Sequence, residues 1–301
     1  VHRVTRNHLI YAMGPEQAPA LRIAGPGTLV FETCDCFEDQ IQSADAAFGE
    51  LDWQRVNPAT GPVYIDEAQP GDVLAVHIER IALNRQAVMV TAPKLGVCGD
   101  QISAPTIRVI PIADGHATLP QGVRVPLNPM IGVIGTAPAG APVSCGTPDA
   151  HGGNMDCKII AEGTTLYLPV NVPGALLAMG DLHAAMGDGE VSVCGMEIAG
   201  EVTVRVAVLK NHELPTPMAQ TADAIYTIAS APLLDDAANL AARNMASFVS
   251  KRAGMSIDDA VNLLSVAGDL QICQVVDPQK TCRYALPKSI ARQLNISLQD
   301  A

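Results

Sequence analysis

Glu201-Val202-Thr203-Val204-Arg205-Val206-Ala207-Val208 places a valine at every second position. Successive side chains of a strand point to opposite faces, so this run reads as a strand with one face turned to a core. Short alternating or wholly apolar runs recur upstream, in Gly27-Thr-Leu-Val-Phe-Glu-Thr33, Asp72-Val-Leu-Ala-Val-His-Ile78, Thr106-Ile-Arg-Val-Ile110 and Thr165-Leu-Tyr-Leu-Pro-Val170. Pro70-Gly71-Asp72 and Pro173-Gly174 supply turns before and between such runs. With 25 glycines and 22 prolines the chain has many turns and few long helices. Packed sheets bury strands of this kind economically, which predicts a mainly β fold with a sandwich or barrel-like core.

The pattern changes after Asp223. Leu234, Ala238, Ala241, Met245, Phe248 and Val249 follow helical spacing, and Asp235 and Asp236 suit a helix N-terminus. Gly254 breaks this helix, and Ser256-Ile-Asp-Asp259 forms a capping box for a second. A strand-like Leu270-Gln-Ile-Cys-Gln-Val-Val276 ends at Asp277-Pro278, and Pro287 opens a last short helix. The expected class is therefore α+β: a β-rich catalytic region over 1–224 and a helical C-terminal region over 225–301 packed on it, possible also as one domain. Arg283 and Lys288 read as surface or subunit-contact residues.

Of the 301 residues 48% are hydrophobic and 17% charged, which excludes disorder for most of the chain. Nineteen Lys and Arg against 31 Asp and Glu give a net charge of −12. So acidic a surface, with no basic run, excludes nucleic-acid binding as the main function. The longest uncharged stretch, Val125 to Pro148, is interrupted by five prolines and four glycines, so it does not read as a membrane span. The N-terminal stretch lacks the apolar core of a secretory signal, and the eight cysteines form no Cys-x-x-Cys pair. They read as reduced thiols of a cytoplasmic protein.

The negative charge is uneven. Lys158 is the sole basic residue between Arg124 and Arg205, and from Asp149 to Glu190 six carboxylates face that one lysine. Asp149-Ala-His151-Gly-Gly-Asn154-Met-Asp156 and Gly180-Asp181-Leu-His183-Ala-Ala-Met-Gly-Asp188-Gly-Glu190 hold most of them, and Glu32-Thr-Cys34-Asp35-Cys36 is a third such segment. On a strand Asp181 and His183 point the same way and would converge on one cation. Imidazole with carboxylate suits Zn²⁺, whereas carboxylates alone suit Ca²⁺ or Mg²⁺. Two bland readings stand beside this one. Isolated histidines such as His77 and His116 are more often structural, and the acids would be harmless if spread over solvated turns, for which Asp188-Gly189 is suited.

The two glycine-rich segments resemble the signatures of the acetamidase/formamidase family. Asn57-Pro-Ala-Thr-Gly-Pro62 with Pro70-Gly-Asp-Val-Leu74 resembles its N-terminal part, and Asp269-Leu-Gln-Ile-Cys-Gln-Val-Val-Asp-Pro278 with Leu286-Pro-Lys288 its C-terminal part. The resemblance implies a β-rich amidohydrolase that binds a divalent metal, often zinc with calcium also open. It further implies release of ammonia from short aliphatic amides and assembly as a homodimer or homotetramer.

On that footing His151, Asp181 and His183 are expected as metal ligands, completed by Asp35 or Asp156. Glu190 is the expected acid/base, with Asp156 also a catalytic candidate, and Asn154 is expected to orient the amide or to donate to the developing oxyanion. Three other readings compete. A cysteine nucleophile, Cys145 or Cys157 near His151, is one. A non-catalytic β-rich binding protein with a structural metal is the second, and hydrolysis of a urea- or carbamate-like C–N bond is the third. With aromatic residues at 3%, Trp53 and the phenylalanines read as core or pocket wall, which favours a small substrate.

Overall fold

The valine-alternating run forms the strand Gly200–Leu209 of the computed structural model, which describes residues 1–298. The C-terminal region expected to reach 301 is thus followed to 298; residues 299–301 lie outside the described residues. Val202, Val204 and Val206 are buried while Arg205 is exposed, as the two-residue period demands. The strand lies between Gly27–Thr33 and Val73–Leu83, antiparallel to both. These belong to a nine-stranded sheet, counted over the described residues.

A second sheet, of eleven strands among the described residues, is organised around Leu177–His183. That strand is antiparallel to Met130–Gly135, Glu197–Ile198 and Ala59–Ile65, and all seven of its residues are buried. Leu29, Phe31 and Val204 of the first sheet share one apolar cluster with Ile131, Met179 and Leu182 of the second. The core is therefore a sandwich of two open sheets, with no closed barrel.

Three α-helices follow among the described residues. α1 (Leu234–Ala253) lays Ala241, Met245 and Phe248 on Ile225 and Leu286 of the first sheet, and ends where Gly254 turns left-handed at φ 63°. α2 (Ile257–Ala267) is capped by Ser256, whose side chain accepts a hydrogen bond from the Asp259 backbone N–H at 3.1 Å. α3 (Lys288–Gln293) starts directly after Pro287. The first sheet itself continues past residue 224 through Ala224–Ala231, Lys280–Pro287 and Asp269–Gln274, so strands from both sides of that position share one sheet.

Arg283 departs from the surface role expected of it. It is 2% exposed, and its guanidinium donates to both carboxylate oxygens of Asp188 at 2.8 and 2.7 Å and to Gln271 Oε1 at 2.6 Å. The reason is tertiary: Lys280–Pro287 is an interior strand of its sheet, and the face that carries Arg283 is covered by the segment of Asp188 and by Cys273. Lys158 lies 3.0 Å from the same Asp188. Burial opposes ionisation of Asp188, but these two cations hold its carboxyl below the usual range. Asp188→Ala should leave the Arg283 guanidinium short of acceptors and cost about 2–3 kcal/mol of stability, measurable as a lower midpoint in urea denaturation.

Candidate active site

Strand pairing assembles the acidic centre. His183 sits opposite Met130 on one side and Glu197 on the other, and Asp181 precedes it by two residues on the same strand. Asn154 pairs opposite Val133, which brings Asp156 in just beyond the end of Gly152–Asn154. Asp156, Asp181 and Glu190 all take positive φ, at 42°, 55° and 46°. Such backbone costs about 1–3 kcal/mol per residue and persists only where the surroundings impose it. Two glycines make room. A Cβ on Gly132 would lie 2.4 Å from Asp181 Oδ2 and 2.5 Å from Asp156 Oδ1, and one on Gly195 would lie 2.4 Å from His183 Nδ1.

The result is one imidazole among acids. His183 Nε2 lies 3.2 Å from Glu197 Oε1, 3.5 Å from Asp181 Oδ1, and 3.8 Å from both Asp156 Oδ1 and Glu190 Oε1. All five side chains are buried. Burial alone would lower the His183 pKa, yet the charges of Glu197 and Asp181 raise it well above the ordinary histidine range. Burial also works against ionised Asp181, and His183 outweighs it, holding that carboxyl low. Asp156, Glu190 and Glu197 are pushed well above the carboxylate range, first by burial; neighbouring acids add to it, Asp156 in the case of Glu190.

The six carboxylates of the 149–190 stretch part company. Asp156, Asp181 and Glu190 converge, Asp188 engages Lys158 and Arg283, and Asp149 and Glu162 are exposed. Asn154 borders the centre: its Nδ2 donates to Asp277 Oδ2 at 3.0 Å, leaving its Oδ1 without a protein partner. Asp35 is buried nearby, but its Oδ1 accepts from the backbone N–H groups of Phe37 and Asp39 at 2.9 and 2.8 Å; burial lifts its pKa to about 6. His151 is buried with Nε2 unpartnered against Gly153, and burial lowers its pKa. Cys145 lies in an apolar cluster with Ile10 and Met13 and donates to the Ile10 carbonyl, while Cys157 packs in the main core.

Glu197 and Asp277 are the members that sequence reading missed. Glu197 is a lone acid in the otherwise uncharged Val191–Gly200 stretch, between Met196 and Ile198, and an acid in such a setting signals a buried charge. Asp277 had the guise of a strand terminator before proline, which masked it.

The donor set fits a metal ion. Asp156, His183 and Glu190 present ligand atoms within 4.8 Å of one another, and so do Cys36, Asp181 and Glu197. Asp35 and His151 stand outside both groups. Atoms on Asn154, Asp156, Asp181, His183 and Glu197 are buried without a hydrogen-bond partner, which is costly unless a cation or water satisfies them. A cavity of about 170 Å³ opens beside these groups, with Asn154, Asp181, Glu190, Glu197 and Asp277 on its polar side.

The model of the acetamidase/formamidase family matches residues 12–144 and 142–293. The crystal structure of an acetamidase from Bacillus halodurans is similar with a TM-score of 0.96 at 48% identity, over 98% of this chain and 100% of that one. A Schizosaccharomyces pombe protein provisionally named a formamidase is 29% identical over 247 residues, 61% of this chain and 60% of its own length. A formamidase of Methylophilus methylotrophus is 45% identical over 65 residues, 21% of this chain and 16% of its own length. The matches thus span less than two thirds of these two curated relatives.

Two outcomes are expected from this geometry. Gly132→Ala drives a methyl group into two site carboxylates and should reduce divalent-metal content, measured by elemental analysis of the purified variant. The second concerns pH. Asp156, Glu190, Glu197 and Asp277 have folded pKa values above their unfolded values near ~4, so the metal-free folded state binds more protons than the unfolded one. Their contribution is fully present below that unfolded value and is lost as pH rises through the raised folded ones. Raised His183 acts in the same sense at higher pH, and lowered Asp181 in the opposite one. The thermal midpoint of chelator-treated protein should therefore fall as pH rises above the unfolded carboxylate value near ~4, and added divalent cation should flatten that slope.

Proposed function

The chain belongs to the acetamidase/formamidase family, and on that premise we propose that it is a metal-dependent amidohydrolase cleaving the C–N bond of short aliphatic amides. The reaction consumes one water and yields a carboxylate and ammonia. The observation that carries the reading is the buried group of His183 with Asp156, Asp181, Glu190 and Glu197, bordering a small cavity.

Asp156, Asp181 and His183 are the residues that would hold a divalent cation, with Glu197 beside them. The imidazole and the neighbouring Cys36 thiol favour zinc over calcium, which prefers oxygen alone. Bound there, such a cation supplies a Lewis acid for the carbonyl and lowers the pKa of its water from about 15.7 to about 7.

The chain's own groups do the rest. Amide resonance makes the carbonyl a poor electrophile, and nitrogen leaves only once protonated. Glu190 takes the proton of the attacking water and returns it to the departing nitrogen. Burial and the adjacent Asp156 raise its proton affinity, which suits that shuttle. Asn154, with Nδ2 engaged by Asp277, presents Oδ1 as an acceptor for a substrate N–H and so fixes the amide plane. Water and substrate enter from the cavity side, which separates the site from a closed structural metal centre.

Among the described residues no helix is long and apolar enough to cross a membrane. Eight free thiols support a reducing, cytoplasmic setting. Self-association as a homodimer or homotetramer is supported by exposed Ile257 and Val261 of α2 and Leu270 and Ile272 of the adjoining edge strand.

Ammonia release from acetamide should stop on chelation and return with added zinc, and it should survive iodoacetamide. Glu190→Gln should lower kcat by roughly 10²–10⁴-fold in the same assay. His183→Ala should lose both metal and turnover; retention of both would refute the ligand assignment.

A further inference from the structure

The loop between strands Asp269–Gln274 and Lys280–Pro287 is fixed by one buried side chain. Gln274 Oε1 accepts from the backbone N–H groups of Val276 and Asp277 at 2.9 and 3.0 Å. Its Nε2 donates to the Gln279 carbonyl at 2.6 Å and to Thr281 Oγ1 at 3.1 Å. Both lone pairs and both N–H groups of that amide are thus engaged by the loop and its flank. Asp277 is buried and has its own backbone N–H in this network, so its position is set by the loop.

Asp277 in turn orients Asn154. The backbone of Asn154 is held by the second sheet, at the end of Gly152–Asn154 and opposite Val133. Its Nδ2 donates to Asp277 Oδ2 at 3.0 Å, from a segment 123 residues away. A carboxylate oxygen accepts, and the oxygen of a carboxamide only accepts, so turning Asn154 over would set two acceptors face to face. Asn154 Oδ1 is therefore held away from Asp277. It is buried without a protein partner, on a residue that lines the same cavity as Asp181, Glu190 and Glu197. A buried acceptor left unpaired is costly, so its complement is a ligand that brings a donor.

N–H donors are what an amide has and an ester lacks. The difference grows along the reaction. In the intact amide the nitrogen lone pair is delocalised into the carbonyl. Once water has added, the nitrogen becomes tetrahedral and takes the proton held by Glu190, and its N–H groups become charged donors. An acceptor aimed at them binds the departing nitrogen more strongly than it binds the ground-state amide, and an interaction of that kind raises kcat. The leaving oxygen of an ester arrives with no such donor.

We propose that Asp277 is a positioning residue which, through Asn154, makes the site select acyl compounds whose leaving group carries N–H, amides in preference to esters of the same shape. This rests on the amidohydrolase reading of the site. Rejection of an analogue that lacks the donor reaches about 10⁴-fold in sites built to bind one.

The test uses the full chain loaded with zinc and follows acetate release from N-methylacetamide and methyl acetate, which differ only in NH against O. Esters are the more reactive in free solution, so the quantity compared between proteins is the amide-to-ester ratio of kcat/KM. Asp277→Asn keeps the side-chain size and frees Asn154 to turn over. It should lower the ratio about 100-fold, with the loss in the amide's kcat and not in its KM, and with the zinc content unchanged by elemental analysis. In an Asn154→Ala background the same substitution should leave the ratio where Asn154→Ala alone puts it. Trp53 is the single tryptophan of the chain and a residue of the cavity, so its fluorescence reads binding apart from turnover. Acetamide should bind about 10-fold more tightly than acetone, which has its shape without N–H, and Asp277→Asn should abolish that preference.

Equal losses on amide and ester, additive effects of the two substitutions, or loss of zinc from Asp277→Asn overturns the proposal and leaves the amidohydrolase reading standing. Preference for acetamide that Asp277→Asn removes, with no amide hydrolysed by the parent protein, upholds the role of Asp277 and refutes the hydrolase reading. Acetamide and acetone bound alike overturns the proposal whatever the turnover.

Discussion

Four carboxylates lie within 4 Å of one buried imidazole, and no Lys or Arg is ion-paired with any of those four acids among the described residues. Everything else in the molecule accommodates that concentration of charge. In a low-dielectric interior, unpaired like charges cannot all remain ionised, so protons or a cation must enter. The basic residues that are near serve another purpose: Lys158 and Arg283 converge on Asp188, outside the group. The donor set is consistent with a divalent cation from solution. Gly132 and Gly195 remove the side chains that would fill the space.

The sheet supplies the rigidity this arrangement needs. Leu177–His183 is buried along its length and flanked on both sides, so Asp181 and His183 have little freedom to relax apart. The left-handed backbone at Asp156, Asp181 and Glu190 is sustained by the same packing. Strain and uncompensated polarity therefore coincide at one place, as expected where function and not stability dictated the structure. The short turn that carries Trp53, by contrast, lies at the surface, where the cavity meets solvent.

Much of this was legible in the residue order. Valine at every second position announced Gly200–Leu209, helical spacing announced α1, and Ser256 with Asp259 announced the start of α2. Asp181 and His183 were legible as a pair because strand geometry relates i to i+2 directly. Asp156 and Glu190 were legible because glycine-rich, acid-rich segments stand out in a chain with few charges. Glu197 and Asp277 were not, since Glu197 reaches the site through the pairing of its strand with Leu177–His183 and Asp277 comes from a distant segment. Asp35 and His151 carried the same local signal as Asp181 and His183, yet lie outside both groups of converging donors. Arg283 looked like any surface cation until the fold brought Asp188, from a segment 95 residues away, against it.

The sequence by itself determined the periodicities, the helix ends and the chemical character of the site, because these depend on neighbours within one turn or one strand. The tertiary structure alone decided which acids share a cavity, which cation is buried with Asp188, and which apolar residues line that cavity. Those choices follow from the register of strands distant in sequence and from burial, which raises or lowers a proton affinity only once the whole sandwich has closed.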